Sequence, residues 1–281
     1  MEHNPEYITK IEVKGLLNNL NIIWKLNRHI NVLSGINGSG KSTVIRNIAS
    51  LLLNKKNIGE RKNVIDSMVI EFNNGSKITA GQTVTDAAFN IDVISTFDVT
   101  LKELETLQKL SDGTVRTDMD WNLYQLQRKY LSFQLKQGNL LVDMLRNNAP
   151  QEQINQVMSV KPKFYDMIDR LFSPTGKRIN RNSDELTFIL HEREITPYQL
   201  SAGEKQLLLI LTTVLCQDCK PTIMLMDEPE ISLHFEWQKI LLESILEINP
   251  NAQIIVATHS PAMVMNGWLE HVHEINDLVE I

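Results

Sequence analysis

The sequence predicts an α/β fold, and three observations carry that expectation. A glycine-rich segment, Gly35-Ile36-Asn37-Gly38-Ser39-Gly40-Lys41-Ser42-Thr43, stands between a short apolar run and a helical stretch. Two later apolar runs, Thr222 to Met226 and Gln253 to Ala257, each end in polar residues with chemical capacity. The N-terminal third is rich in short β-type runs, with Asn73-Asn74-Gly75 as a hairpin turn signal. A buried sheet carrying a phosphate loop, with an antiparallel part built from the N-terminal strands, satisfies all three.

In chain order, Ile8 to Val13 and Leu20 to Leu26 read as strands, followed by Ile30-Asn31-Val32-Leu33, short and apolar enough for a buried strand. The loop comes next, and Thr43 to Leu53 continues it as a helix. Val64 to Phe72, Lys77 to Ala80 and Ile91 to Ser95 complete the N-terminal strands. From about residue 98 the pattern becomes helical. Leu101, Leu104, Leu107 and Leu110 recur every third position, Trp121 to Arg146 is a longer amphipathic stretch, and Gln151 to Val160 and Phe164 to Phe172 follow. A helix from Trp121 to Arg146 would be only about 40 Å long, which suits a compact platform better than a tethering arm. Strand signals return at Leu186-Thr187-Phe188-Ile189-Leu190. The run ending at Asp227 is apolar enough to be buried on both faces. A helix from Glu236 to Ile248, with Leu241, Leu242, Ile245 and Leu246 inward, and the strand Gln253 to Ala257 then make one parallel crossover.

The glycine-rich loop is suited to a nucleoside triphosphate. Gly35, Gly38 and Gly40 admit backbone angles that a Cβ would block, so the N–H groups of the segment from Asn37 through Ser39 to Thr43 can curl around phosphate oxygens. Lys41 reaches the β- and γ-phosphates, and the Ser42 hydroxyl is placed to ligate Mg²⁺. Asp227, at the end of its strand, is the expected second holder of Mg²⁺, and Glu228 the base that orients the attacking water. His259, just past the neighbouring strand in Thr258-His259-Ser260-Pro261, is placed to sense the γ-phosphate. The loop and its acidic partner therefore predict a nucleoside triphosphate with Mg²⁺, and the resemblance that follows implies ATP.

The order of these motifs with Leu200-Ser201-Ala202-Gly203-Glu204, Asp227-Glu228-Pro229-Glu230 and Ser232-Leu233-His234 resembles the ABC-type ATPases of the RecF, SMC and OLD kind. ATPases of bacterial phage-defence systems such as PARIS and Septu resemble this group too. The resemblance implies an ABC-type P-loop NTPase core with a mixed sheet, formed by residues 1–97 and 173–281, and a helical insertion over 98–172. It further implies a homodimer with composite ATP sites, in which Ser201 and Gly203 of the signature segment, Leu200 to Gln206, contact the γ-phosphate held by the opposite protomer. Ser232, Leu233 and His234 would form the loop that crosses the dimer interface. The sequence departs from the pattern in one place: no glutamine follows Ile91 to Ser95, where Ser95-Thr96-Phe97-Asp98 stands instead. Tyr7 and Trp24 are the candidate aromatics for stacking on adenine, each equally readable as core or surface.

Composition bounds the partners. A net charge of −6 gives no global field for nucleic acid. Local basic groups remain at Lys55, Lys56, Arg61 and Lys62, and from Lys161 and Lys163 through Arg170 to Lys177, Arg178 and Arg181, so DNA in a groove across a dimer stays open. The longest apolar stretch, Leu207 to Leu215, is too short for a bilayer, and the N-terminus lacks a secretory pattern, which points to the cytoplasm and no membrane partner. Cys216 and Cys219 lack the further ligands that a zinc site needs. Three classes compete: a defence or DNA-maintenance ATPase that controls an effector, a nucleotide-binding subunit of an ABC transporter, and a non-hydrolytic scaffold. The Asp-Glu-Pro-Glu run and the missing glutamine favour the first over the second, and Glu228 with His259 argues against the third. OLD-type nucleases continue past the switch motif, here Thr258-His259-Ser260-Pro261, into a metal-binding domain. Here the sequence ends shortly after it, so effector chemistry is expected in a separate nuclease or toxin.

Overall fold

The computed structural model describes residues 6–17, 20–53, 65–79, 89–95 and 115–280. The basic residues Lys55, Lys56, Arg61 and Lys62, the leucine series from Leu101 to Leu110, and Thr96, Phe97 and Asp98 lie outside them. The chain forms two compact units, Met1–Thr96 with Cys219–Ile281, and Phe97–Asp218.

The first unit holds two sheets. β1 (Ile8–Leu16), β2 (Leu20–Lys25), β4 (Ser67–Phe72) and β5 (Lys77–Thr79) form an antiparallel sheet in the order β2-β1-β4-β5. β3 (Ile30–Ser34), β6 (Asn90–Ser95), β10 (Thr222–Asp227), β11 (Ala252–Ala257) and β12 (Val272–Glu274) form a parallel sheet in the order β12-β3-β11-β10-β6. The antiparallel and parallel parts are thus separate sheets. The core includes Ile11, Val13, Trp24, Ile70, Val44, Ile48, Ile223, Leu225 and Ile255, all buried, drawn from both sheets and from α1 (Lys41–Leu52). Every residue of β10 and β11 is buried, as the unbroken apolar runs required.

Register decides where the chemistry comes out. Asp227 pairs with Ser95 on one side and Ala257 on the other, and Ala257 pairs with Leu33. The parallel strands β3, β10 and β11 therefore end together, and Gly35, Glu228 and His259 all leave the sheet at its carboxyl edge. α5 (Phe235–Ile248) makes the crossover between β10 and β11, with Leu241, Leu242 and Ile245 buried and Leu246 only partly so.

The Gln253 amide helps to join the two sheets. Gln253, fully buried in β11, accepts from the Ile8 N–H at 2.7 Å and donates to the Ile8 and Asn27 carbonyls at 2.7 and 2.9 Å. Gln253→Ala removes all three bonds from a site that water does not reach. We expect it to cost about 2–3 kcal/mol of unfolding free energy, read from the urea midpoint. A change below about 0.5 kcal/mol would mean that those backbone groups find other partners.

The second unit contains α2 (Asp118–Arg146), α3 (Gln151–Phe172), a small sheet of β7 (Arg178–Ile179), β8 (Phe188–Leu190) and β9 (Arg193–Ile195), and α4 (Ala202–Leu215). Thr117 and Asp120 form a capping box that starts α2. Tyr130 and Phe133 of α2, Phe164 and Phe172 of α3, and Phe188 are buried, whereas Trp121 and Tyr124 stack on each other and are partly exposed. The sequence suggests two helices over 151–172, but α3 runs through Pro162 without a break. Pro162 is exposed, and buried Ile154, Phe164 and Ile168 hold the helix on both sides of it, so packing outweighs the lost backbone hydrogen bond. Towards the far end of α2 the side chains of Leu135, Val142 and Leu145 are exposed.

Candidate nucleotide site

The glycine loop adopts the backbone that its sequence demands. Gly40, the cap of α1, has φ 101°, and a Cβ there would stand 3.2 Å from the Leu16 side chain. Gly35 has φ 149°, and a Cβ would come within 2.9 Å of the Ser39 hydroxyl. Side chains are thus disfavoured by conformation at both positions and crowded there by neighbouring side chains. Asn37 and Gly38 are exposed at the tip, while Ser39, Ser42 and Thr43 are partly buried.

Lys41 is 4% exposed, and its ammonium donates to the Gly35 and Ile36 carbonyls at 2.9 and 3.1 Å. Burial pushes its pKa down, against the pull of Glu228, Asp227 and Glu230. The Ser42 hydroxyl donates to Asp227 Oδ1 at 2.9 Å. Burial raises the Asp227 carboxyl above its ordinary range, and the neighbouring charges of Glu228 and Glu230 act in the same direction, while the Ser42 bond and Arg46 oppose them. Three carboxylates thus stand against two cations, Lys41 and Arg46, an excess of negative charge that a divalent cation would correct. Ser42 and Asp227 supply hard oxygen donors of the kind that suits Mg²⁺, which keeps several waters and leans on substrate phosphates. The residues present fit that ion.

Glu228 follows directly, in a left-handed backbone conformation of φ 49°, with its N–H bonded to the Ala257 carbonyl at 2.8 Å. This kink turns its carboxylate to face His259, whose Nε2 lies 3.4 Å from Glu228 Oε1. Ser232 is also left-handed, at φ 69°, Leu233 is buried, and His234 caps α5. An open cleft of about 430 Å³ borders the loop at Gly35 and Ile36 and the switch turn at Thr258, His259 and Ser260.

Sequence reasoning missed Glu230. Its Oε1 accepts from the Thr258 hydroxyl and from the His259 N–H at 3.0 Å, so it fixes the turn that presents His259. Ser260 adds a bond to Gln238 at 2.6 Å. The second glutamate of Asp-Glu-Pro-Glu was the available signal, since a turn residue so near a strand end faces the next strand's exit.

The adenine candidates do not hold. Trp24 is fully buried between the sheets and meets His273 edge-on. Tyr7 lies under the Arg28 guanidinium at 4.6 Å and precedes Ile8, which bonds to Gln253 at the amino end of β11. That is the edge of the parallel sheet opposite the glycine loop.

Ser201 and Gly203 belong to the second unit. Ser201 caps α4 in a capping box with Glu204, and Gly203 is buried in the first turn. In the same unit Lys177 and Arg181 of the second basic group are ion-paired, and Lys161 is held by neutral partners. Lys177 pairs with Glu204, Arg181 with Asp166 and Asp169, and Lys161 bonds to Gln134 above the Tyr165 ring.

Comparison with known proteins bears on the family and the fold. A family profile described as "AAA domain, putative AbiEii toxin, Type IV TA system" matches residues 111–265, more than half of the chain. The Septu protein PtuA of Bacillus thuringiensis is 25% identical over 317 aligned positions, covering 97% of this chain and 74% of that protein. The retron Vc95 probable ATPase of Vibrio cholerae serotype O1 biovar El Tor is 30% identical over 105 residues, which is 34% of this chain. The chain spans only about a fifth (20%) of that relative's length. Among solved structures, the Smc head domain bound to the C-terminal domain of ScpA, derived from Pyrococcus furiosus, superposes with a TM-score of 0.52 at 17% identity. That match covers 92% of this chain and 91% of the Smc head chain, and the shared fold is the ABC-type P-loop core.

Proposed function

The chain belongs to the AAA-domain family whose profile it matches, and from that membership we propose an ATP-binding and ATP-hydrolysing switch that dimerises on ATP and controls a separate effector. Its setting on this reading is bacterial anti-phage defence or DNA maintenance, in the cytoplasm. The likeness to PtuA along nearly the whole chain and to a retron ATPase supports the defence setting.

One observation carries the enzymatic part: the Ser42–Asp227 hydrogen bond and the Glu228–His259 contact stand at the same sheet edge as the glycine loop. The loop from Gly35 to Thr43 cradles the phosphates and Lys41 neutralises them. Bound Mg²⁺, held by Ser42 and Asp227, would screen the charge on the phosphates. Glu228 takes the proton of the attacking water, and His259 holds the Glu228 carboxylate in position and faces the γ-phosphate. Ser201 and Gly203 complete the site of the opposite protomer, so the assembly is a two-fold dimer with two shared sites.

The test is complementation. Lys41→Ala removes the phosphate cation and Ser201→Arg blocks the signature turn, so each homodimer is inactive. Mixed chains form heterodimers in which one of the two sites joins an intact loop to an intact signature. Turnover should return to about half of the wild-type rate per heterodimer, one working site in two. A mixture that stays as inactive as its parts, with both variants folded and associating, would refute shared sites.

A further inference from the structure

Glu204 stands in the first turn of α4 with a side chain only 1% exposed. Its Oε1 accepts from the Thr175 hydroxyl at 2.7 Å and from Lys177 Nζ at 2.8 Å. Its Oε2 accepts from Lys177 Nζ at 3.1 Å, and from the Ser201 N–H and the Ser201 hydroxyl at 2.9 Å each. Burial alone would push this carboxyl up, yet the bonds from Lys177, Ser201 and Thr175 hold it below the ordinary glutamate range. Glu204 is therefore a charged, nearly saturated acceptor inside the protein.

The consequence falls on Ser201. A serine hydroxyl carries one proton, and here that proton points at Glu204. To donate to a γ-phosphate the hydroxyl must rotate away and leave Oε2 short of one donor. A buried carboxylate that loses a donor is costly unless a cation stays beside it. Lys177, itself 15% exposed, bonds to both carboxylate oxygens and remains after the serine turns. Thr175 reaches only Oε1 and brings no charge.

We infer that Lys177 is a positioning residue for the Ser201 hydroxyl: it balances Glu204, so that the serine can pass its hydrogen bond to the γ-phosphate of the opposite protomer. The inference rests on the reading of Ser201 proposed above. Thr175 and Lys177 flank Gly176, whose φ of 71° turns the chain directly after α3. One residue on from Glu204, Lys205 forms a second buried pair, with Asp120 at 2.8 Å in the cap of α2. The start of α2 and the turn that follows α3 are thus each tied by an ion pair to the first turn of the signature helix.

The experiment compares Lys177→Met, Lys177→Arg, Glu204→Gln, the Lys177→Met/Glu204→Gln pair and Ser201→Ala in the full chain. ATP affinity is measured by calorimetry, ATP-dependent dimerisation by sedimentation, and turnover by phosphate release. Lys177→Met should keep ATP affinity within about twofold and lower both turnover and dimerisation by about tenfold or more, the scale of one charge-assisted bond. Lys177→Arg should restore most of the loss. In the Glu204→Gln background no carboxylate needs balancing, so adding Lys177→Met should change turnover by no more than about twofold. An equal loss in both backgrounds would place Lys177 in some other role and overturn the inference. Wild-type turnover in Lys177→Met beside an impaired Ser201→Ala overturns it too, and leaves the shared-site reading intact. An unimpaired Ser201→Ala sinks that reading and the inference with it. Should Lys177→Met alone not fold, the Glu204→Gln single and double variants decide: equal turnover within about twofold supports the balancing role, and a larger difference overturns it.

Discussion

Glu228→Gln is expected to lower ATP turnover by roughly 10²–10⁴-fold while ATP affinity stays at the wild-type level, the span that removal of a general base produces. The reason lies in the geometry rather than in the motif. The Glu228 carboxylate faces His259 rather than the loop, and its left-handed backbone turns it off the line of β10 that Asp227 continues. The neutral amide keeps the shape of the side chain and its contact with His259 but cannot take a proton from water. The loop, Lys41 and the Ser42–Asp227 pair are untouched, so binding survives and the ATP-bound dimer accumulates. Single-turnover phosphate release and equilibrium binding on the same preparation check both halves. Turnover at the wild-type rate would remove Glu228 from the chemistry. The same variant, used as bait in native cells, would hold the effector in complex with the ATP state.

Much of this site was legible because its requirements are local. Gly35, Gly38 and Gly40 stand at positions whose backbone angles exclude side chains, so the loop was visible in the spelling of the chain. Strands β10 and β11 were equally plain, since strands buried on both faces need unbroken apolar runs. The sequence was less legible where packing decides. Trp24, readable there as core or surface, alternates with Ile22 on the buried face of β2. Pro162 reads as a helix break in isolation, but buried residues before and after it keep α3 whole. Partners of buried charges were not legible at all. Glu204 reads as one letter of a signature, and nothing in its neighbourhood points to Lys177, which lies 27 residues away. Asp120 and Lys205 are 85 residues apart. Such pairs exist only once the helices of the second unit are packed.

Lys41→Ala should have the opposite effect to Glu228→Gln, with ATP affinity falling by about 100-fold or more and residual turnover following occupancy. A buried ammonium forms charge-assisted bonds to two phosphates, each worth about 1.5–3 kcal/mol, and alanine replaces neither. The loss should be much smaller for AMP, which has no β- or γ-phosphate for Lys41 to reach. Fold stability separates this loss from simple damage to the loop. In the structure the ammonium bonds to the Gly35 and Ile36 carbonyls, yet burial depresses its pKa, so the folded protein disfavours the charge that it carries there. Removing the charge relieves that penalty while it deletes the two bonds, and the two effects oppose each other. The melting temperature without nucleotide should therefore change little, whereas the rise in melting temperature that ATP produces should vanish. A variant that melts early without nucleotide yet still gains the full ATP-dependent rise would show Lys41 to be a strut of the loop and not its phosphate ligand.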